Sequence, residues 1–157
     1  LTNVYNRRYY DEFFQGADDM QAMAVIDVDD FKHINDNYGH DTGDIVLQSI
    51  ARTVLSCMRK TDAVVRYGGD EFVIVFYNIP ADVFEKKLEK IRYSIDSLII
   101  NGPPELHMSV SIGGAYGIGT AKKLFKVADD MMYQSKNTKN KVTICFLNEK
   151  SGSKDNI

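Results

Sequence analysis

Apolar positions along the chain follow two periods, one helical and one extended. Tyr10, Phe13 and Phe14 lie at helical spacing within Arg7 to Gly16, with Gly16 as a stop, and predict a first helix. Met23-Ala24-Val25-Ile26 is an unbroken apolar run ending in Asp27-Val28-Asp29-Asp30, the pattern of a strand buried on both faces whose exit carries acids. Phe31, Ile34 and Tyr38 then recur at three and four residues ahead of Gly39, which can take the left-handed cap conformation, so a short helix is expected there. From Thr42, the positions Leu47, Ile50, Val54 and Met58 draw a longer amphipathic helix, with Asp41 as its cap and Asp44 in its first turn.

Ala63 to Tyr67 and Phe72 to Tyr77 are rich in β-formers, and the Gly68-Gly69 pair between them predicts a tight hairpin with positive φ angles. After Pro80, a helix with Phe84, Leu88, Ile91, Ile95 and Leu98 on one side opposes Glu85, Lys86, Glu89 and Lys90, and Asn101-Gly102-Pro103-Pro104 ends it. Its stripe resembles a heptad, but in one domain a core-facing helix is the commoner meaning. Leu106, Met108, Val110 and Ile112 alternate with His107, Ser109 and Ser111, the period of a half-buried strand. Leu124, Val127, Ala128 and Met131 mark a last helix, and Val142 to Phe146 a last strand. Strands joined both by a turn and by helical crossovers predict an α+β fold with a mixed central sheet and flanking helices.

The 157 residues, 44% hydrophobic and 26% charged, have the proportions of one globular domain. Residues 1–148 are read as that domain and 149–157 as a polar tail expected to be disordered. A domain of this size buries roughly 68–70% of the surface its unfolded chain exposes and needs no disulfide or structural metal to hold a core. The net charge of -3 offers no basic field for nucleic acid polymers or an anionic membrane. No apolar run approaches the ~20 residues of a membrane helix, so no membrane contact by this segment is expected. Cys57 and Cys145 lack any Cys-x-x-Cys spacing and are read as reduced, packed thiols. His33, His40 and His107 show no mutual metal spacing and are read as structural or surface residues.

Two acidic clusters stand at strand ends: Asp27, Asp29 and Asp30 after the first strand, and Asp70 and Glu71 after the glycine pair. Carboxylates beside apolar strands are costly to desolvate unless paired or metal-bound, and oxygen ligands on rigid strand ends suit Mg²⁺ with substrate phosphates. Turn acids that simply stay solvated fit the same pattern, and composition does not choose between the two.

The residues themselves carry a resemblance. Arg66-Tyr67-Gly68-Gly69-Asp70-Glu71-Phe72 resembles the signature of the GGDEF domain, the catalytic domain of diguanylate cyclases. Leu1 to Arg8 resembles the opening LTGLxNRR, Asp27 to Asp36 the DxDxFKxIND block, Ser109 to Gly113 the VSIG strand, and Ala128 to Lys136 the ADxALYxAK block. The family fold is the nucleotidyl-cyclase and polymerase-palm relative of the ferredoxin-like sheet, in keeping with the element order.

The resemblance implies that Asp27 and Asp70, with the Val28 carbonyl and with Glu71 beside them, hold two Mg²⁺ or Mn²⁺ ions per active site. Such ions would activate a 3′-hydroxyl and neutralise charge on the α-phosphate and pyrophosphate. Lys32 would meet the phosphates together with the N–H groups around Phe31, since helix N-termini point unpaired donors outward. Asn35, a poor helix-interior residue, would read guanine. Asp44 would accept from guanine N1–H and the 2-amino group, an edge adenine does not present. Gly68, Gly69 and Lys136 complete the implied nucleotide site. Arg59 and Asp62 match the family's Arg-x-x-Asp product-inhibition site, where arginine can bond guanine O6 and N7 bidentately.

The sequence departs from the family in three places. Asn3 replaces the glycine of LTGL, and asparagine also enters left-handed conformations. Ser135 to Lys141 is one residue short of AKxxGRN and lacks its glycine, leaving Lys139 as the substitute second phosphate cation. Gly114 to Ala121 is short as well, so that edge of the domain is expected to be trimmed. The leading expectation is a bacterial, cytoplasmic diguanylate cyclase in a transient two-fold homodimer, using GTP and inhibited by cyclic di-GMP. Because Leu1 coincides with the start of the family motif, an upstream sensor domain is expected outside this segment, in a parent protein that could be membrane-anchored. A catalytically weak or inactive module that binds GTP or cyclic di-GMP as a sensor is the alternative, and a purely structural partner domain is a third.

Overall fold

The computed structural model describes residues 4–100 and 105–147. Its elements in chain order are β1 (Tyr5–Asn6), α1 (Arg7–Phe13), β2 (Met20–Val28), α2 (Phe31–Tyr38), α3 (His40–Ser56), β3 (Ala63–Arg66), β4 (Glu71–Phe76), α4 (Ala81–Asp96), β5 (Ile99–Ile100), β6 (Leu106–His107), β7 (Val110–Gly119), α5 (Ala121–Lys136) and β8 (Lys141–Phe146). The helix-ending segment Asn101 to Pro104, the opening Leu1 to Asn3 and the tail 149–157 lie outside the described residues.

Six strands form one sheet in the order β1-β3-β4-β2-β7-β8. The β2·β4, β2·β7 and β3·β4 pairs are antiparallel, whereas β1·β3 and β7·β8 are parallel. The sheet is therefore mixed, as the alternation of turn and helical connections required. β2 lies inside the sheet, and all its residues except Gln21 and Asp27 are buried.

Successive side chains of β2 point to opposite faces and define two cores. Ala22, Ala24, Ile26 and Val28 meet Ile50 and Val54 of α3 and Phe84, Leu88, Ile91 and Ile95 of α4. Met23 and Val25 face Tyr10 of α1 and Leu124, Ala128 and Met132 of α5. The helix after Pro80 thus faces the core, as its stripe predicts.

Three expectations need correction. Leu106 to Ile112 is not one half-buried strand: Leu106–His107 pairs with β5 in a separate ribbon, and β7 begins at Val110 and is buried throughout its first half. The alternation predicted a solvent face, but α4 covers one side of β7 and α5 the other. The Gly114 to Ala121 stretch holds the end of β7, which runs to Gly119, and Thr120 alone connects it to α5. α3 starts at His40 with Gly39 as its N-cap and no side-chain cap, so Asp41 lies inside the first turn. Neither Gly68 nor Gly69 has positive φ, because a longer Tyr67 to Asp70 turn closes the hairpin without it.

Gly113 sets the distance between α5 and the sheet. A Cβ there would lie 2.0 Å from the Met132 nitrogen and 2.1 Å from the Ala128 oxygen. Both are backbone atoms that no rotamer change can move aside, so the end of α5 is held directly over the β2 exit.

Candidate active site

β2, α2, the β3–β4 turn and the end of α5 converge at one edge of the sheet. Asp27 pairs in register with Glu71 on one side and Ser111 on the other. Just past the hairpin turn, the Val28 amide donates to the Asp70 carbonyl at 3.1 Å. The turn itself is tied by the Tyr67 amide on the Glu71 carbonyl at 2.8 Å and by Arg66 on the Gly69 carbonyl at 2.7 Å. The two acidic clusters of the sequence therefore meet.

Their electrostatics are unfavourable without a further cation. Burial, with Asp70 nearby, pushes the Asp27 carboxyl up to about 6 although Lys136 pulls it down. Glu71 is pushed up to about 7 by burial and by Asp129, Asp27 and Asp70, against Arg7. Asp27 Oδ1 is buried and has no hydrogen-bond partner among the described residues. An orphaned carboxylate oxygen in such company is costly unless a cation completes it.

Lys136 at the end of α5 supplies one positive charge. Its Nζ lies 3.0 Å from Asp29 Oδ1, 3.2 Å from the Val28 carbonyl oxygen and 3.6 Å from Asp27 Oδ2. Asp29 is buried and also accepts from Ser109, Ser111 and the Asn140 amide. Burial works to raise its carboxyl, but the hydrogen bonds from Ser111, Ser109, Asn140 and Lys136 outweigh it and hold the group below its ordinary range. Lys139 pairs with Asp30 at 2.7 Å in the open. The missing glycine of the α5–β8 turn is answered by two side-chain-bearing residues in the left-handed region, Lys139 at φ 61° and Asn140 at φ 47°. Each costs roughly 1–2 kcal/mol, less for asparagine.

On the other side of Asp27, α2 begins without a side-chain cap, so its first N–H groups at Phe31 and Lys32 are open, and Lys32 is exposed. Asn35 lies one turn further along α2, and its Oδ1 is buried and unpartnered among the described residues. It fits against α3 only because position 43 is glycine: a Cβ there would stand 1.9 Å from that oxygen. Asp44 follows and, with Leu47, Gln48, Ala51, Arg66 and Phe72, lines a pocket of about 260 Å³ between α3 and the hairpin. Gly69 has nothing within 4 Å of its would-be Cβ, and at Gly68 the Glu71 Cβ is 3.5 Å away, so packing within the domain does not explain the glycine pair.

Arg59 and Asp62 stand apart from this edge. The Asp62 carboxylate is fully buried and accepts from the Arg59 guanidinium at 2.8 Å, the Arg59 amide at 2.9 Å and Lys87 at 3.1 Å. Arg59 also donates to the Tyr77 and Asn78 carbonyls. The two free cysteines are half-buried, as expected.

The chain's family model match decides its kinship: the model described as "Diguanylate cyclase, GGDEF domain" covers residues 1–142. The chain belongs to the GGDEF family. The GGDEF domain is 39% identical over 145 residues to diguanylate cyclase DgcM of Escherichia coli K12, a match covering 87% of this chain and 35% of that protein. It is 38% identical over 129 residues to diguanylate cyclase A of Treponema denticola, covering 78% of this chain and 34% of that protein. The chain thus spans about a third of the length of these curated relatives. Among solved structures, the GGDEF domain of DgcB from Caulobacter crescentus, in complex with c-di-GMP, superposes with TM-score 0.84 at 30% identity over 91% of this chain and 92% of that one.

Sequence reasoning gave no specific role to three contributors to the site of this GGDEF domain. Asp29 was visible only as one acid in a run, and its four donors come from residues far along the chain. Gly43 sits in a helix where nothing local calls for glycine. Asp129 faces Glu71 from α5, and burial with its neighbour Asp130 raises its own carboxyl. Among the described residues no group of three or more Asp, Glu, His or Cys could hold a metal ion alone, and no helix is long and apolar enough to cross a membrane.

Proposed function

We propose that this GGDEF domain condenses two GTP molecules into cyclic di-GMP and two pyrophosphates, in a two-fold dimer whose protomers each present one nucleotide to the other. The observation that carries the reading is the orphaned, buried Asp27 oxygen beside Asp70, Glu71 and the Val28 carbonyl. Two carboxylates and a carbonyl oxygen on a rigid strand end suit Mg²⁺ or Mn²⁺, which keeps positions for water and substrate phosphates and needs no all-protein cage. Two such ions held by Asp27, Asp70 and Val28, with Glu71 alongside, would supply the Lewis acidity that activates a 3′-hydroxyl and neutralises the departing pyrophosphate. Each 3′-hydroxyl gives up its proton to solvent, and its oxygen forms a bond to the α-phosphorus of the opposite nucleotide as the bond to pyrophosphate breaks.

The remaining residues bind and orient. The open N–H groups at Phe31 and Lys32, the Lys32 ammonium and the backbone of Gly68 and Gly69 receive phosphate oxygens, joined by Lys136 and Lys139. Asn35 and Asp44 recognise guanine, Asp44 from the pocket it lines and Asn35 from the neighbouring turn of α2, where its unpartnered oxygen abuts Gly43. Adenine presents no matching donors to Asp44 and leaves that carboxylate unsatisfied. Arg59 and Asp62 form the site for inhibitory cyclic di-GMP, which would have to open their mutual ion pair. An upstream sensor that controls dimerisation and a cytoplasmic location, where GTP is held, complete the proposal.

Fusion to a dimerising coiled coil tests it. Cyclic di-GMP should form from GTP and Mg²⁺ and no cyclic dinucleotide from ATP. The shortened Lys136 to Lys141 segment favours a second reading, a sensor that binds GTP or cyclic di-GMP without turnover. A folded, dimeric fusion that makes no product while binding cyclic di-GMP through Arg59 would establish it.

A further inference from the structure

The carboxylate of Asp29 has no part in the chemistry proposed above, yet it is the most heavily bonded acid of the site. It is 4% exposed. Oδ1 accepts from Ser111 Oγ at 2.6 Å and Lys136 Nζ at 3.0 Å, and Oδ2 accepts from Ser109 Oγ at 2.7 Å and the Asn140 amide at 2.9 Å. These donors belong to the start of β7, the last residue of α5 and the α5–β8 turn. One side chain following β2 thus closes three other segments around the strand end.

Two consequences bear on the lysines. A lysine side chain is long and freely rotating, and holding its tip before a ligand arrives removes an ordering penalty from binding. Lys136 is held in this way, with Nζ on Asp29 and on the Val28 carbonyl. The turn carrying Lys139 is held as well, because Asn140 gives its amide to Asp29 while its side chain bridges Arg92 at 2.9 Å and Asp96 at 3.0 Å. Those bonds sustain two successive left-handed residues where glycine would be the ordinary choice.

We propose that Asp29 is a positioning residue for phosphate recognition: it presets the Lys136 ammonium, and the turn bearing Lys139, at the strand end where the triphosphate is received. The inference rests on the nucleotide-binding reading above and deepens it. Asp29 touches no substrate; it acts mainly through Lys136 and secondarily through the Lys139 turn. A purely structural staple would instead affect every ligand alike.

The test compares 3′-deoxy-GTP, which lacks the attacking hydroxyl and cannot be condensed, with guanosine, each titrated with Mg²⁺ against wild type, Asp29→Asn, Lys136→Met and the double variant. The substituted amide keeps the shape of the carboxylate but turns an N–H toward Lys136 or the Asn140 amide. Asp29→Asn should weaken 3′-deoxy-GTP by about tenfold, the loss of one charge-assisted hydrogen bond's worth of positioning, and leave guanosine within about twofold. In the Lys136→Met background, the effect of Asp29→Asn should shrink to about threefold or less, the part carried by the Lys139 turn through the Asn140 amide. Equal weakening of both ligands, or an undiminished tenfold effect without Lys136, overturns the inference. Should Asp29→Asn not fold, Ser111→Ala removes one donor and keeps the charge; it should give a smaller loss, about threefold, confined to the triphosphate and again only when Lys136 is present. A Ser111→Ala loss shared by guanosine overturns it too. A wild-type domain that binds neither ligand refutes the nucleotide-binding reading itself, which separates that failure from failure of the Asp29 assignment.

Discussion

Replacing Gly43 with alanine should separate stability from recognition. The added Cβ would lie 1.9 Å from Asn35 Oδ1, 3.0 Å from Asn35 Cγ and 3.2 Å from Phe31 Cζ. Ordinary C···O contact is ~3.3–3.6 Å, so the amide oxygen must retreat by roughly 1.5 Å. The obstacle is the far end of a flexible side chain, and a displaced rotamer costs about 0.5–1.5 kcal/mol. Against that, alanine improves on glycine in a helix by about 0.8–1 kcal/mol. The two nearly cancel, and the melting temperature should stay within a few degrees of wild type. Recognition does not cancel: Asn35 leaves the position from which it is proposed to meet the base, and one lost hydrogen bond is worth about 0.5–1.5 kcal/mol, up to about tenfold in affinity. Circular dichroism melts and calorimetric titration with 3′-deoxy-GTP read the two effects on the same preparation. Unchanged affinity in a folded variant would refute the placement of Asn35 in the guanine site. A collapse in stability would refute the argument that the side chain can yield.

Gly113→Ala makes the opposite case, because its Cβ would meet backbone of α5 at 2.0 and 2.1 Å; it should cost at least about 2–3 kcal/mol, seen as a large drop in urea midpoint, and a neutral result would show that α5 can lift off the sheet. Asp62 carries a lowered carboxyl, because Arg59 and Lys87 outweigh its burial. A carboxylate lowered on folding contributes stability that is complete above its unfolded pKa near about 3.9 and lost as pH falls through the folded value, so the stability gap between wild type and Asp62→Asn should be open at pH 7 and shrink below about pH 4 in acid-unfolding curves. Glu71, at about 7, and Asp27, at about 6, have the reverse sign. Ionising them is harder in the folded domain, so metal-free stability should fall as pH rises from about 4 through 7, and Mg²⁺ should restore it at pH 8; melts in EDTA that are flat across this range would contradict the crowding of the acids.

Much of this fold was legible because its signals are local. The apolar run of β2 with acids at its exit, the periodic stripe of α4 and the β-rich arms of the hairpin each lie within one short window of sequence. β7 was not legible in the same way. Gly113-Gly114-Ala115 has weak intrinsic strand preference, and the strand exists there because α5 needs Gly113 bare on one face and Phe84 and Leu88 need Gly114 bare on the other. The two-residue β1 gains its definition only from parallel pairing with β3. At the site, the acids were visible in the motif, whereas the seat of Lys136 depends on contacts to Val28 and Asp29 across more than a hundred residues. The glycine missing from the α5–β8 turn looked like damage in the sequence; in the structure, hydrogen bonds to Asn140 hold the left-handed turn that glycine would have made easy.

The acids joined at the β2 exit and the hairpin turn are proposed to hold the metal ions for nucleotidyl transfer. Cyclic di-GMP formation by the coiled-coil fusion, followed by chromatography across a Mg²⁺ titration for wild type, Asp27→Asn and Asp70→Asn, tests it most directly. Product should rise with Mg²⁺ in wild type and fall by at least about a hundredfold in each variant, a deficit of roughly 2.7 kcal/mol or more in barrier height. Full activity in Asp70→Asn, with the same Mg²⁺ dependence as wild type, would contradict it.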